Sequence, residues 1–512
     1  AYRFVAEHRD GIDRTEKYAF GFAERSHFLS RWLFIRILGL VYFAAFVSLW
    51  TQIRGLVGRD GILPAQGFLD AVHEQLGPDA FLRLPTLAWL NANDTALVAM
   101  CACGAGMSLL VVLRLAPALL LAVLWCLYLS LTGVSQIFLG YQWDGLLLEV
   151  GFLAIFLAPW TLRPTLGTEP AASRLVLWLL RWLLFRLMFA SGIVKLLSAD
   201  PVWWDLSAVT VHYETQPLPT WIAWYAFQWP AWLHQVSCAI MFVIEIAAPL
   251  LIFLSGRART FAFFPLVLLQ VLIALTGNYT FFNLLTFALC ILLLDDAFLR
   301  RVLPKRLVGP TESGGPRRLR HSLQGLITVP LAALILLVSA VQFFGRFGSR
   351  TDPTPAVADL MRHVAPFRSV NTYGLFSNMT TSRPEIVIEG SNDAKNWTEY
   401  EFKWKPGNTQ RRPAFVAPHQ PRLDWQMWFA ALGSRGSRQV VQNLMIRILE
   451  GSPRVLALLD DNPFPEAPPR FIRASLYDYR FTNRETRAAT GDWWKRTYLG
   501  PYSRVFARGV QR

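Results

Sequence analysis

Long apolar runs recur between Arg31 and Gly345, whereas the chain from Arg346 onward mixes polar and apolar positions as globular proteins do. A helix that crosses a bilayer core requires about 20 apolar residues. Nine runs approach that length, and each predicts a spanning helix: 31–53, 95–113, 116–138, 143–162, 175–197, 232–255, 260–276, 279–298 and 322–345. We therefore expect an N-terminal segment (1–30), a membrane all-α bundle (31–345) and a soluble domain (346–512).

The loops between these runs alternate in positive charge. The loop 300–320 holds seven basic residues, whereas the loops 140–142, 199–231 and 277–279 hold none. Because Lys and Arg accumulate on the cytoplasmic side, this pattern predicts a cytoplasmic N-terminus and an exoplasmic soluble domain. Only the long outer loop 54–94, with three arginines, departs from it. Since residues 1–30 contain no apolar core, we expect no cleavable signal peptide and insertion through the first span.

The soluble domain has the pattern of an α+β fold that contains a sheet. Residues 385–393 and 397–404 alternate between apolar and polar side chains and predict two strands of a hairpin. Residues 425–432 and 440–459 predict helices, and 471–482 return to a strand pattern.

Composition excludes two classes of function. The net charge of +15 could indicate nucleic-acid binding, but the basic residues cluster beside apolar runs, so we expect no nucleic-acid partner. All five cysteines lie in apolar runs and none has the spacing of a zinc site, so we expect small buried hydrophobes and no metal.

Lys195 is the only lysine between Lys17 and Lys305, and it lies near the end of the predicted span 175–197. A charged side chain at a helix centre costs ~2.5–3.5 kcal/mol on insertion scales. Two interpretations stay open. The amine faces a protein interior or watery cavity as part of a site, or it snorkels to the interface from the helix end.

Further polar groups stand at membrane level: Gln142, Asp144, Glu149, Arg181, Arg186, Asp205 and Glu245. Buried charges normally pair, so the plainest expectation is that Arg181 and Arg186 neutralise carboxylates on neighbouring helices. Asp144 and Glu149 lie about 140° apart on a regular helix and do not share one narrow face. Arg186 and Lys195 lie nearly opposite each other, unless the Ser191-Gly192 pair breaks the helix or the two face different neighbours.

A candidate site remains after these pairs are assigned. The span 175–197 runs outward, and the loop that carries His212 and Glu214 begins at its outer end. We predict that Lys195, His212 and Glu214 lie within about one helix diameter (~10 Å) of one another around an outward pocket. The chain contains no phosphate loop, nucleophile elbow or zinc motif that would name a reaction.

A second constellation lies in the soluble domain, where proline and tryptophan crowd around polar side chains. Its candidate residues are His419, Arg422, Asp424 and Trp425. A packed corner of the domain is the more economical interpretation, and a site is the alternative.

Several stretches carry a resemblance to a known family: Gln52-Ile53 with Gly61–Pro64, Tyr141–Gly151, Trp182–Lys195, Trp203-Trp204 through His212–Gln216, Asn371–Phe376, Met379–Ile386 and Arg422–Trp428. In this order the chain resembles the lipase maturation factor family over nearly its whole length. The resemblance implies a membrane protein that helps exported proteins fold or assemble, with a lipase among the candidate clients and membrane lipid around it. Vertebrate members reside in the endoplasmic reticulum with the soluble domain in the lumen. The arginine bias and the cysteine-free soluble domain favour a bacterial member, which would place it in the inner membrane and leave its client open.

A shorter stretch, Ser191–Leu196 followed by Asp200 and Trp203, resembles the segment of vitamin K-dependent carboxylases that carries their essential lysine. That resemblance implies a membrane enzyme with Lys195 as base on a lipophilic substrate or a lipid- or quinone-like cofactor. Because the soluble domain shows no carboxylase match, vitamin K chemistry is not transferred. The maturation factor is our first hypothesis and the enzyme the alternative; a transporter is less favoured, since no inverted repeat is evident.

Overall fold

The computed structural model describes residues 26–166, 169–304, 320–347 and 353–509. Most of the predicted N-terminal segment and most of the basic loop 300–320 lie outside these residues. The described chain forms a helical part followed by a smaller part built on an antiparallel sheet.

Ten helices form the first part: α1 Phe28–Trp50, α2 Asp94–Val112, α3 Pro117–Val134, α4 Gln142–Leu157, α5 Arg174–Leu197, α6 Ala231–Phe242, α7 Gly256–Thr276, α8 Phe282–Ile291, α9 Asp296–Val302 and α10 Arg320–Gly345. A π-helical turn, Val243–Ala247, prolongs α6. Short helices fill the two large loops: Ile53–Val57, Ala65–Leu76, Ala80–Arg83, Pro201–Trp204, Ala208–Thr215 and Trp221–Phe227.

The prediction of nine spans is not confirmed. In the described chain, seven helices are long and apolar enough to cross a membrane, or eight if the bent pair α8 and α9 counts as one span. That pair bends by 113° at its break. Helix α4 has 16 residues, about 24 Å at 1.5 Å per residue, which is shorter than a bilayer core. Thirteen of those 16 residues are buried, so protein rather than lipid surrounds α4.

Contacts divide the helix ends into two groups. The first group touches the C-terminal part of the chain. Gln52, just after α1, donates through Nε2 to the carbonyl of Gln420 at 2.8 Å, and Asn278, between α7 and α8, donates to the carbonyl of Ala414 at 2.8 Å. Gln142 at the start of α4 exchanges hydrogen bonds with Gly374.

The second group lies at the other ends of the same helices. The amides of Phe28 and Leu29, at the start of α1, donate to the carboxylate of Asp296 at 2.9 and 2.8 Å. Between α2 and α3, the amide of Ala116 donates to the carbonyl of Leu162, which follows α4, at 2.8 Å. Helix α4 therefore starts in the first group, and the loop after it lies in the second.

The C-terminal part contains five strands: β1 Pro384–Ser391, β2 Thr398–Tyr400, β3 Phe471–Phe481, β4 Trp494–Pro501 and β5 Phe506–Ala507. Their order is β2-β1-β3-β4, all antiparallel, and β5 pairs with one end of β3. Ile388 lies opposite Tyr400 on one side and Ala474 on the other. The predicted hairpin is formed by β1 and β2, and the predicted strand 471–482 is β3.

Helices α11 Pro355–Val364, α12 Arg422–Ala431, α13 Ser437–Leu449 and α14 Arg484–Thr490 complete this part. The single helix predicted for 440–459 is wrong. Helix α13 ends at Leu449, and Gly451 takes a positive φ of 72° before a short helix, Pro453–Leu456. Glycine adopts that left-handed conformation without a Cβ clash, which stops the helix there.

One apolar core runs through both parts of the molecule. Its buried members include Tyr128 and Trp143 from the helical part, and Trp425 and Ile388 from the C-terminal part. The contacts that fix the C-terminal domain are therefore interior contacts, where burial strengthens electrostatic interactions.

Candidate functional site at the joint between the domains

Asp144 and Arg422 form an ion pair that joins the two domains, and both side chains are fully buried. The guanidinium donates to both carboxylate oxygens, at 2.7 and 2.9 Å, and to the carbonyl of Phe138 at 2.8 Å. The hydroxyl of Tyr128 donates to the same carboxylate at 2.5 Å. Both charges are thus paired and hydrogen-bonded, which is the condition under which buried charges are tolerated.

Aromatic rings enclose this pair. Trp425, one turn of α12 beyond Arg422, contacts Trp143 edge-on at 4.8 Å between ring centroids and Tyr141 at 5.8 Å. Gln426 donates to the hydroxyl of Tyr141 at 2.8 Å. The stretches Tyr141–Gly151 and Arg422–Trp428, which the sequence singled out separately, therefore pack against each other. We define the joint as this contact together with the Glu149 contacts described next.

Glu149 is the second buried carboxylate of the joint. It pairs with Arg186 of α5, and its other oxygen accepts from the amide of Asn371 at 2.8 Å and the hydroxyl of Tyr373 at 2.7 Å. Arg186 in turn donates to the carbonyl of Asn371 at 3.0 Å. One carboxylate thus ties α4, α5 and the start of the C-terminal domain together.

Lys195 forms a buried ion pair with Glu245. Its Nζ lies 2.5 Å from Oε2 of Glu245 and 5.4 Å from the ring centroid of Trp203. Glu245 sits on the π-helical turn Val243–Ala247, and π turns often mark functional positions. Helix α5 continues unbroken through Gly192, where a Cβ would lie 3.0 Å from the Cβ of Glu245. Gly192 therefore allows the close approach of the two helices that the ion pair requires.

His212 lies on the loop helix Ala208–Thr215 and contacts a different set of residues. Its Nε2 is 3.1 Å from the hydroxyl of Tyr279, which donates to Gln216 at 3.0 Å. The ring of Phe376 meets the imidazole edge-on at 4.9 Å. Burial, with a smaller contribution from the charge of Lys195, lowers the pKa of His212 to about 4. The imidazole is therefore neutral at physiological pH.

Glu214 faces the sheet instead of Lys195. Its carboxylate pairs with Arg480 of β3 at 2.8 Å and accepts from the amide of Phe481 at 3.0 Å. Arg383, which is fully buried, donates to the carbonyls of Glu214 and Pro217 at 2.7 Å each and pairs with Glu385. This second attachment holds the outer loop against the C-terminal domain.

The hydrogen bonds and ion pairs of Lys195, His212 and Glu214 in the described chain lead to different partners, and the predicted pocket stays a prediction. On a helix, residues two apart point about 200° from each other, at 100° per residue. His212 and Glu214 therefore face different neighbours. Between Lys195 and His212 stand two aromatic rings: Trp203, over which the amine lies, donates to the carbonyl of Phe376 at 3.2 Å, and the ring of Phe376 contacts the imidazole.

The remaining predicted residues have structural neighbours. Arg181 donates twice to the carbonyl of Leu292, at 2.8 and 3.1 Å, so its expected carboxylate partner is replaced by a carbonyl. Gln142 bonds the backbone of Gly374. Asp205 is exposed and accepts from the amide of Ser207 at 2.8 Å, and these Ser207 hydrogen bonds lower its pKa.

His419 contacts α1, whereas Asp424 accepts backbone hydrogen bonds within the C-terminal domain. The Nδ1 of His419 is 3.0 Å from the hydroxyl of Ser48, and burial lowers the pKa of His419 to about 4. Asp424 accepts from the amides of Trp404 and Lys405 at 2.8 and 2.9 Å, and burial raises its pKa above the ordinary value. Within the described chain, no group of three or more His, Cys, Asp or Glu side chains is placed to hold a metal ion.

Sequence reasoning missed several residues that complete these networks. Tyr128 gave no signal, because one tyrosine in an apolar run is ordinary. Asn278 bonds Leu218, Ala414 and Val416 from one amide side chain, yet it follows a glycine in a three-residue loop. Only a prediction that this loop meets the C-terminal domain would have drawn attention to it.

Comparisons with known proteins agree with this two-part architecture. The family model described as the lipase maturation factor transmembrane domain matches residues 29–301, and that of the lipase maturation factor C-terminal domain matches 369–504. Lipase maturation factor 2 of Gallus gallus is 39% identical over 92% of this chain and 80% of its own length. Lipase maturation factor 2 of Homo sapiens is 36% identical over 92% and 82%. Lipase maturation factor 1 of Bos taurus is 36% identical over 93% and 88%. No solved structure matches the chain.

These relatives are vertebrate proteins, so they give no support to the bacterial origin expected from the arginine bias. They give none to the shorter resemblance to carboxylases either, since both family models are those of lipase maturation factors. Two family domains in the same order, together with the apolar helices, describe an integral multi-pass membrane protein. The chain belongs to the lipase maturation factor family.

Proposed function

We propose that this protein is a membrane-anchored maturation factor that assists the folding or assembly of exported proteins, with a lipase as the client class that the relatives' names suggest. One observation carries the proposal. The stretches Tyr141–Gly151, Asn371–Phe376 and Arg422–Trp428, which carry the family resemblance, meet at the joint. Charged side chains of these stretches form buried ion pairs at the joint and hold the C-terminal domain in place. The surface left for binding a client is therefore the outer surface of that domain.

We further propose that the C-terminal domain is exoplasmic. Of the loops beside the helix ends that touch this domain, 140–142 and 277–279 hold no basic residue and 54–94 holds three arginines, whereas Arg114 and Arg163 lie in loops at the opposite end. The positive-inside rule then supports a cytoplasmic location for that opposite end. In a eukaryotic cell the exoplasmic face is the endoplasmic reticulum lumen, and in a bacterium it is the outer face of the inner membrane.

Protease added to sealed membrane vesicles tests this orientation. If the vesicles keep their cytoplasmic face outward, the C-terminal domain should be protected until detergent opens the membrane. Cleavage within residues 353–509 of sealed vesicles would overturn the proposed orientation.

Strand β4 is the surface we propose for client binding. In the sheet as described, β4 pairs only with β3, so one of its edges is free. Tyr498 and Leu499 on this strand are 56% and 55% exposed. An extended segment of an unfolded chain can add to such an edge through backbone hydrogen bonds, while its apolar side chains contact the exposed ones.

Site-specific photo-crosslinking tests this surface in the full-length protein in membranes. A photoreactive amino acid replaces Tyr498 in one variant and Ile446 in a control, because Ile446 is an apolar residue of α13 that is 41% exposed. A newly synthesised secreted lipase should crosslink at position 498 and not at 446, and the crosslink should disappear once the lipase is folded. Equal crosslinking at both positions, or crosslinking at 446 alone, would contradict the proposal.

The alternative function, an enzyme with Lys195 as base on a lipophilic substrate, gains no support from the geometry. The amine donates to Glu245, whereas His212 lies within hydrogen-bond distance of Tyr279 and Glu214 pairs with Arg480. An ammonium that is hydrogen-bonded to a buried carboxylate is a paired charge, and a paired charge stabilises helix packing without any chemistry.

A further inference from the structure

A basic pocket lies at the end of the helical bundle opposite the C-terminal domain. Arg31 of α1 and Arg114 between α2 and α3 both approach Glu169, at 3.2 and 3.6 Å. Arg36, one turn and a half further along α1, lines the same pocket. Three guanidinium groups therefore share a single carboxylate, and two positive charges stay unbalanced among the lining residues.

Three guanidinium nitrogens in this pocket are buried without a hydrogen-bond partner among the described residues: Nε and Nη2 of Arg31 and Nη1 of Arg36; of these, only Nη2 of Arg31 has an ion-pair contact, with Glu169 at 3.2 Å. Arg31 is only 3% exposed. Buried donors are normally satisfied, and leaving one unpaired costs about 1–3 kcal/mol, more when it is charged. The unpaired donors therefore point to an acceptor, and the excess charge points to an anion.

The walls of the pocket are apolar. They consist of Trp32, Ile35, Val111, Pro117, Pro159 and Pro164 around a small, half-open cleft. Trp32 also lies 4.1 Å below the guanidinium of Arg36. In the loop after α4, Trp160 and Leu162 are 54% and 75% exposed, and tryptophan favours the headgroup level of a membrane.

We propose that this pocket binds the phosphate group of an anionic phospholipid. Arginine presents a planar fork of donors that matches phosphate oxygens, and basic pockets between helices at a membrane surface are suited to charged headgroups. The phosphate accepts from Arg31 and Arg36, and Arg114 contributes charge at the mouth. This site is independent of the client surface and of the joint.

Binding of phosphatidic acid to the full-length protein tests the proposal. The protein is placed in phosphatidylcholine nanodiscs with increasing phosphatidic acid, and bound lipid is measured by native mass spectrometry. Inorganic phosphate is titrated in parallel as the soluble source of the same group. The variants are Arg36→Gln, Arg114→Gln and Glu169→Gln, and Arg163→Gln is the matched control, because Arg163 is exposed in the same loop and does not line the pocket.

We expect Arg36→Gln and Arg114→Gln each to weaken phosphatidic acid binding roughly fivefold or more. Glu169→Gln should tighten it, because it removes the competing carboxylate; a purely structural cluster would not gain affinity. Arg163→Gln should bind as the unmodified protein does. If inorganic phosphate binds with the same variant dependence and displaces the lipid, the phosphate site stands and the free anion is its ligand. Unchanged binding in the Arg36 and Arg114 variants, or an equal loss in Arg163→Gln, would overturn the proposal.

Discussion

Replacing Arg422 by methionine should loosen the joint more than any exposed substitution in the C-terminal domain. The change removes a guanidinium that makes two hydrogen bonds to Asp144 and one to the carbonyl of Phe138. Asp144 would remain fully buried, with the hydroxyl of Tyr128 as its remaining donor among these contacts. Breaking a buried pair by removing one partner costs about 3–5 kcal/mol, because the other charge is left uncompensated.

Hydrogen exchange of a backbone amide that crosses the joint measures this cost directly. The amide of Asn371 donates to Glu149 at 2.8 Å, so it exchanges when the domains separate. A loss of about 3–5 kcal/mol corresponds to a rise in its exchange rate of roughly a hundredfold to a few thousandfold, at 1.4 kcal/mol for each tenfold. Amides in the ladder between β1 and β3, such as that of Ile388, report folding of the domain itself and should change far less.

Two further variants separate the ion pair from a general effect of mutation. The double variant Asp144→Leu with Arg422→Met lacks both charges, so most of the protection of the Asn371 amide against exchange should return. The remaining deficit should be about 1–3 kcal/mol, because the hydroxyl of Tyr128 is left unpaired. Arg411→Met removes half-buried surface pairs with Glu401 and Asp460 and should change the Asn371 exchange by less than about 1 kcal/mol. If the Asn371 amide exchanges equally in Arg422→Met and Arg411→Met, the buried pair does not hold the joint.

Three other outcomes follow from buried titratable groups. Lys195→Met should destabilise the helical part by about 3–5 kcal/mol in thermal unfolding. The double variant Lys195→Met with Glu245→Met should recover most of that stability and keep maturation activity. A double variant that is stable yet inactive would favour the alternative function, an enzyme with Lys195 as base. Because the pKa of His419 falls from 6.5 to about 4 on folding, stability present above pH 6.5 is lost as pH falls toward 4, by up to about 3 kcal/mol. His419→Gln should flatten that part of the urea-unfolding profile, and an unchanged profile would remove histidine as the cause. Because burial raises the pKa of Asp424, the folded state loses stability as pH rises from the pKa of the unfolded state toward that of the folded state. The Asp424→Asn variant should be at least as stable at pH 7 as the unmodified protein, because its amide oxygen can still accept the two backbone hydrogen bonds. A large loss of stability would show that the negative charge itself is needed.

Much of the fold follows from local sequence patterns. Apolar runs predicted a helix at each of the nine positions, and strand alternation predicted the hairpin of β1 and β2. The count of nine spans is not confirmed, because hydropathy measures whether a segment avoids water, not whether it touches lipid. Helix α4 is apolar because protein surrounds it, so no bilayer thickness sets its length.

The candidate site was less predictable from the sequence. A charged side chain in an apolar run indicates that it has an ion-pair partner, but the sequence does not identify which residue that partner is. Asp144 and Arg422 are 278 positions apart, and no periodicity links them. The predicted site at Lys195 stays a prediction. Residues 208–215 are helical, so His212 and Glu214 point in different directions, and Glu214 bonds Arg480.

The placement of the buried charges also constrains how a maturation factor of this kind can work. In the pair of Asp144 and Arg422 each domain supplies one partner, so separation would leave a carboxylate inside the helical part and a guanidinium on the face of α12. A hinge between two compact states usually exchanges one set of contacts for another, but separation of this pair would leave Asp144 buried, with the hydroxyl of Tyr128 as its hydrogen-bond donor in the helical part. The C-terminal domain therefore moves with the membrane helices, and client binding and release must occur at its outer surface and not through opening of the joint. Locking the joint with a crosslink should accordingly leave maturation intact, whereas a loss of activity on locking would require a hinged mechanism.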